Sequence, residues 1–349
     1  MRNPISISQN DFQHMFSFAK KMQELILNPD YQASSSATGS AAKTPNYQSI
    51  LMGYDFHLQD GLPQLIEINN NAGGLYLSQQ KDWLDQPQLG QAESTLPQRI
   101  LKMFEPEWQT IVIMDEDPQQ QFMYSEIQAY AQLLRDDGRQ VFILDPSQIK
   151  LHQDGHLSYQ EHTIDMIYNR HTDFYLETTA MQHIKSAYLS NQVVLNPHPQ
   201  SYDLLGDKGR MVDWHRPDFL EQFISQPQAD AVRAIIPMTK YVQDQDQDQL
   251  WKERKQWVFK PTASHAGKGV VLGKSITRKR FAETNQPNMI MQAFIPPAKV
   301  TMNDISYKSD IRLYMHGQTL VAIAGRIYQG MLTNFRTEGS GFVPLEIEA

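Results

Sequence analysis

The stretch 257–273, WVFKPTASHAGKGVVLG, sets a small polar loop between two apolar runs. Trp257, Val258 and Phe259 read as one strand, and Val270, Val271 and Leu272 as another. Between them stand Lys260, Ser264, His265, Gly267, Lys268 and Gly269. Glycine and other small residues let backbone N–H groups come close to an anion, and the lysines add positive charge. A polyphosphate is the ligand this composition suits. A P-loop, G-x-x-x-x-G-K-[ST], fails because Lys268 occupies its first glycine position. The dinucleotide fingerprint G-x-G-x-x-G fails because Gly273 falls one residue late. Both motifs also need a helix after the loop, where a strand is expected here. An ordinary Gly-containing hairpin is the alternative.

Two further groups carry chemistry. Glu67 and Asn69 are two apart in QLIEIN, on one face of an apparent strand, and Asp55 lies on the strand before it. Two carboxylates and an amide oxygen are hard donors suited to Mg²⁺ bridging nucleotide phosphates. A strand with an exposed polar face would read the same way. Asp310 and Arg312 also share a strand face, and Arg326, Asn334 and Arg336 follow. Guanidinium groups suit carboxylate or phosphoryl recognition and stabilise developing negative charge; a surface ion pair is the plainer reading. Lys208, near the start of a predicted helix, and Arg170, at a predicted strand end, complete the candidates. His57, His171, His198, His265 and His316 lie scattered, and no H-E-x-x-H or G-x-S-x-G occurs.

The elements that must position these residues follow from periodicity. Phe12, Met15, Phe16, Ala19, Met22, Leu25 and Ile26 recur at helical spacing, with Ser8 or Asn10 as candidate caps. Residues 33–45 read as a loop. Two short strands around Asp60-Gly61 carry Asp55 and Glu67, and a polar Asn-Gly loop follows. Residues 108–150 predict one βαβ unit, with a further strand over 164–168 leading into Asn169-Arg170-His171. Residues 200–240 read as largely helical, and QDQDQDQ at 243–249 as a solvated linker. A strand over 289–295 stops at Pro296-Pro297, and 310–315 with 319–324 forms a hairpin across His316-Gly317.

Composition narrows the class. With 349 residues, 40% apolar and 20% charged, the chain can fill a substantial globular core. A net charge of −8 argues against a general nucleic-acid binder. The absence of cysteine removes disulfides, thiolate metal sites and cysteine nucleophiles, and suits a cytoplasmic protein. Residues 1–30 lack a signal-peptide core, and no run of roughly 18 apolar residues offers a membrane span. A homodimer is the commonest assembly to expect.

Taken together, these pieces resemble ATP-grasp enzymes. Lys260-Pro261 with Gly267–Gly269 resembles the phosphate-covering lid of bacterial glutathione synthetase, and Lys208 its earlier ATP-contacting lysine. Asp310-Ile311-Arg312, Gly325-Arg326 and Asn334 resemble its arginine strands and Gly-rich substrate loop. There the G-x-D and E-I-N metal segment comes last; here Gly53-Tyr54-Asp55 and Glu67-Ile68-Asn69 come first. That order resembles the circularly permuted layout of glutathionylspermidine synthetase. The resemblance covers roughly 50–75 and 165–345. It implies an α+β ATP-grasp fold, two subdomains clasping ATP, with a small α/β pre-ATP-grasp domain. The expected division is 1–105, 106–200, 201–295 and 296–349. The resemblance implies ATP and Mg²⁺ as cofactors, with Lys208, Lys260 and the 262–269 loop at the phosphates, and Gln292 and Phe294 flanking adenine. It further implies Asp55, Glu67 and Asn69 at the metal, Arg312 and Arg326 at the reacting group, and Arg170, Asn334 and Arg336 at an anionic substrate. Gln292 replaces the family's acidic ribose contact. Gly53 stands where permuted relatives carry an arginine, so Arg312 and Arg326 must do that work. The implied activity joins a small carboxylate to an amine or thiol. A kinase, a non-catalytic nucleotide-binding protein and an unrelated α/β binding protein remain the alternatives.

Overall fold

The computed structural model describes residues 4–35, 39–58, 61–78, 95–264, 267–302, 304–331, 333 and 337–348. His265, Asn334 and Arg336 lie outside the described residues.

A four-stranded parallel sheet runs in the order Val194–Asn196, Met166–Asn169, Thr110–Met114, Gln140–Leu144. After Thr110 the run TIVIM is apolar and buried because both faces of the sheet are covered. Ile111 and Ile113 enter one core cluster with Tyr130, Leu134 and Tyr168, while Val112 and Met114 enter another with Ile184 and Leu195. Helix Tyr124–Asp136 makes the crossover, and Arg135 in its last turn donates to the Val141 carbonyl.

A larger antiparallel sheet joins the two ends of the sequence. Its order is Gly341–Val343, Thr319–Tyr328, Ile305–His316, Met52–His57, Gln64–Asn69, with Ala298–Met302 also paired to Ile305–His316. Period-two alternation divides its two faces. Tyr307, Ile311, Leu313 and Met315, with Met52, Tyr54 and Phe56, pack on Phe12, Met15, Phe18 and Met22 of helix Gln9–Ile26. Phe18 meets Tyr54 and Phe56 edge-on, with ring centres 6.4 and 6.0 Å apart. Asp310, Arg312 and Tyr314 therefore point the other way. Ser8 caps the helix, accepting the Asp11 N–H at 3.0 Å.

A third sheet, Thr239–Tyr241, Met289–Ala293, Trp257–Pro261, Val271–Leu272, is antiparallel. Phe259, Met289 and Met291 pack with Leu250 and Phe281 on one face; Lys260 and Gln292 occupy the other. The QDQDQDQ stretch is only partly a linker. Asp246 accepts the Gln249 N–H and starts helix Gln247–Glu253, whose Leu250 is buried. Strand Ile5–Ser8 pairs in parallel with Leu345–Glu348.

Candidate active site

Strand register assembles the site. Ala324, Arg312, Asp55 and Glu67 stand opposite one another across four successive strands. Asp310 faces Arg326 in the next row, and Gly53 faces Asn69. The Arg312 guanidinium grips Asp55 in a fork, Nε to Oδ1 at 2.6 Å and Nη2 to Oδ2 at 2.6 Å. Its Nη1 donates to the Gly73 carbonyl at 3.0 Å. Arg326 reaches Asp55 Oδ2 at 2.9 Å and pairs with Asp310, which also accepts from Thr333 at 2.6 Å.

These groups are buried, so each charge depends on its partner. Burial opposes ionisation of Asp55, but the Arg312 and Arg326 guanidiniums outweigh it and hold the carboxyl well below the usual range. Burial also works against the charge on Arg312, and Asp55 more than makes up for it, so its pKa rises.

Asn69 Nδ2 lies 3.2 Å from both Asp55 Oδ2 and Glu67 Oε1. Its Oδ1 is thereby left as an acceptor. Glu67 is the more open carboxylate, with its side chain 26% exposed against 2% for Asp55. Among the described residues, no group of three or more His, Asp and Glu side chains could hold a metal ion. Glu67 and Asn69 nonetheless fit Mg²⁺, which takes one or two protein oxygens and fills its shell with phosphate and water. Asp55 was expected beside them as a ligand. It shares their face, but its oxygens are taken by the two guanidiniums.

Two lysines bridge to the third sheet. Lys208 Nζ donates to the Ser264 carbonyl at 2.8 Å and lies 3.8 Å from Glu67. It follows a π-helical turn, Tyr202–Gly206, a wide turn frequent at functional sites. Lys260 Nζ donates to Gln292 Oε1 at 2.6 Å and to the Ile66 carbonyl at 3.0 Å. That carbonyl is available because the register slips between Asp55 and Phe56, where Ile66 is the extra residue of a β-bulge. Burial pushes the Lys260 amine down to about 8; Glu67 and Asp55 oppose the shift, and Lys208 adds to it.

Other expected positions divide. Gly267 and Gly269 have φ of 70° and 75°, so their loop uses the left-handed region glycine favours. Lys268 beside them is exposed. Phe294 follows strand Met289–Ala293 and donates its N–H to Gln256. Gln292 was expected against adenine, but its buried side chain turns to Lys260, Met211 and Thr239. Arg170 was expected at substrate. Its guanidinium is buried instead, donating to Asn71 Oδ1 at 2.7 Å and lying 3.8 Å from Glu126. Sequence reasoning did not single out Glu126, Tyr314 or Thr333. Only the Asn-Gly run at 69–74 gave a signal, and its Gly73 carbonyl accepts from both Arg312 and Tyr314.

A small antiparallel sheet set over a larger one, with lysines and arginines between them, defines an ATP-grasp fold. Residues 228–346 match the family model of the ATP-grasp domain. A crystal structure provisionally named gamma-glutamylcysteine synthetase, from Methylobacillus flagellatus KT, shares the fold. It is 11% identical, with 95% of this chain and 85% of that one covered at a TM-score of 0.57. The ATP-grasp ligase PsnB, complexed with minimal precursor, is 12% identical over 69% of this chain and 78% of its own, with a TM-score of 0.41. D-alanyl-alanine synthetase A from Vibrio cholerae O1 is 10% identical over 67% and 73%, with a TM-score of 0.34. No curated protein matches the sequence.

Proposed function

We propose that the chain is an ATP-dependent ligase that joins a small carboxylate to an amine through an acylphosphate, releasing ADP and phosphate. The observation that carries this reading is the row Arg312–Asp55–Glu67, with Lys260 reaching it from the third sheet and Lys208 from just after the π-helical turn. Four cationic side chains, Arg312, Arg326, Lys208 and Lys260, there meet three carboxylates, Asp55, Glu67 and Asp310. The surplus positive charge suits an incoming polyphosphate.

In this reading Lys208 and Lys260 hold the α- and β-phosphates and the 262–269 loop covers the γ-phosphate. Phe294 lies against adenine, and Gln292 acts through Lys260. Glu67 and Asn69 hold Mg²⁺, which neutralises charge on the phosphates when bound. The substrate carboxylate oxygen attacks the γ-phosphorus, and the bond to ADP breaks. The amine nitrogen then attacks the acyl carbon, and phosphate leaves. Arg312 and Arg326 face the charge that develops in both steps. Closure over the site keeps water from the acylphosphate. Asn334 and Arg336 are assigned to an anionic substrate. The adjacency of strand Met52–His57 to Ile305–His316 supports a circularly permuted order; the divisions we assign to it fall near residues 105, 200 and 295.

A coupled assay for ADP and free phosphate tests this, with Mg-ATP and pooled amino acids, short peptides and polyamines. Equal ADP and phosphate, dependent on two pool components, is expected. ADP without phosphate would mean transfer to a hydroxyl. Glu67→Gln should lower turnover at least about a hundredfold with the fold intact; full activity in that variant would sink the metal assignment.

A further inference from the structure

We propose that Arg170 and Glu126, in the small α/β unit, are positioning residues for Arg312 and act through the segment 71–76. Three links are direct. Arg170 Nη1 donates to Asn71 Oδ1 at 2.7 Å and to the Ala72 carbonyl at 3.5 Å. Glu126 accepts the Gly74 N–H at 2.9 Å and the Tyr76 N–H at 3.2 Å. Between these anchors, the Gly73 carbonyl accepts from Arg312 Nη1 at 3.0 Å and from the Tyr314 hydroxyl at 3.2 Å.

Both anchoring side chains are buried, Arg170 at 9% and Glu126 at 1% exposure, and they lie 3.8 Å apart. A buried ion pair whose members each grip the same short segment fixes that segment more firmly than exposed loop contacts could. The segment is also tightly seated. A Cβ on Gly73 would lie 3.1 Å from Arg170 Nη2, and one on Gly74 would lie 2.3 Å from the Phe342 ring. The consequence falls on the Arg312 guanidinium, which has five N–H groups. Nε and Nη2 are held by Asp55, and Nη1 by Gly73, so the remaining N–H groups have a set direction. Without the Gly73 carbonyl, the fork to Asp55 would still hold, but the outer nitrogen would lose its fixed partner. The small α/β unit thus holds in place the partner of the outer nitrogen of an arginine on the other sheet. The catalytic meaning rests on the proposed ligase reading, whereas the mechanical link does not.

The test is nuclear magnetic resonance of the full chain labelled with ¹⁵N-arginine, with the Arg312 side-chain signals identified by their loss in Arg312→Lys. Arg170→Lys and Asn71→Ala are then compared with the unaltered chain. The expected result is Arg312 Nη–H exchange with water at least about tenfold faster in both variants, with Nε–H little changed. Asn71 is half-buried, so Asn71→Ala keeps the test available if Arg170→Lys does not fold. Arg312 signals unchanged in a folded variant that lacks the Arg170–Asn71 bond would overturn the proposal. This readout needs neither ATP nor turnover, so its failure is distinct from failure of the ligase reading.

Discussion

Lys260 is the residue whose environment makes the sharpest demand. Its amine titrates near 8 in the folded chain, against an ordinary 10.5, chiefly because it is buried. Below about pH 8 both folded and unfolded chains carry the charge, and the folded one bears the desolvation penalty. Between about 8 and 10.5 the unfolded chain binds more protons, so this residue's contribution to stability improves as pH rises. Polyphosphate binding has the opposite sign, since it favours the ammonium. Mg-ATP affinity should therefore weaken above pH 8, by up to about tenfold per unit, with proton uptake on binding. Calorimetry between pH 7 and about 9.5, in two buffers of different ionisation enthalpy, measures both. Lys260→Met should bind more weakly and lose the pH slope. A slope retained in that variant would place the titrating group elsewhere.

At the scale of elements, Gly53 shows what the strand pair must accommodate. A Cβ there would lie 2.8 Å from the Ala72 Cβ and 3.4 Å from Arg312 Nε. The missing side chain lets the 71–76 segment lie over the strand while Arg312 passes beside it. Gly53→Ala should lower stability by about 1–3 kcal/mol through overpacking, read from urea unfolding, and should disturb the Arg312 resonances described above. Much of this architecture was legible in the sequence. The two short strands around Asp60-Gly61, with Glu67 and Asn69 two apart on one face and Asp55 on the strand before, were read from spacing, as was the βαβ unit over 108–150. The bulge at Ile66 was not legible, because an extra residue leaves no mark on a six-residue pattern. Nor was Glu126, whose position in a helix says nothing about a loop fifty residues earlier. The glutamine–aspartate run misled because Asp246 is also a good N-cap, and low complexity hid Leu250.

At the scale of the whole molecule, the site cannot form piecemeal. Asp55 and Arg312 are 257 residues apart in sequence, and their strands share a core with helix Gln9–Ile26 and the terminal strands. Strand Met52–His57 is paired on both sides in its sheet and buried along its length. Its amides should open only when the protein unfolds as a whole. The third sheet rests on a much smaller cluster around Phe259, Phe281 and Met291. It is tied to the larger sheet by single hydrogen bonds such as Lys260 to Ile66 and His57 to Ile295. Less buried apolar surface means a lower free energy of local opening. Hydrogen exchange followed by mass spectrometry should therefore show the strands Trp257–Pro261 and Met289–Ala293 exchanging at least about tenfold faster than Met52–His57 and Ile305–His316. Mg-ATP bound between the sheets would add its binding free energy to that opening, about 2.7 kcal/mol at a hundred times Kd, and the difference in exchange should shrink. Adenosine lacks the phosphates that Lys208 and Lys260 would hold, so it should leave the difference nearly unchanged. Equal slowing by both ligands would mean that the base holds the third sheet in place, and that the two lysines do not grip a polyphosphate.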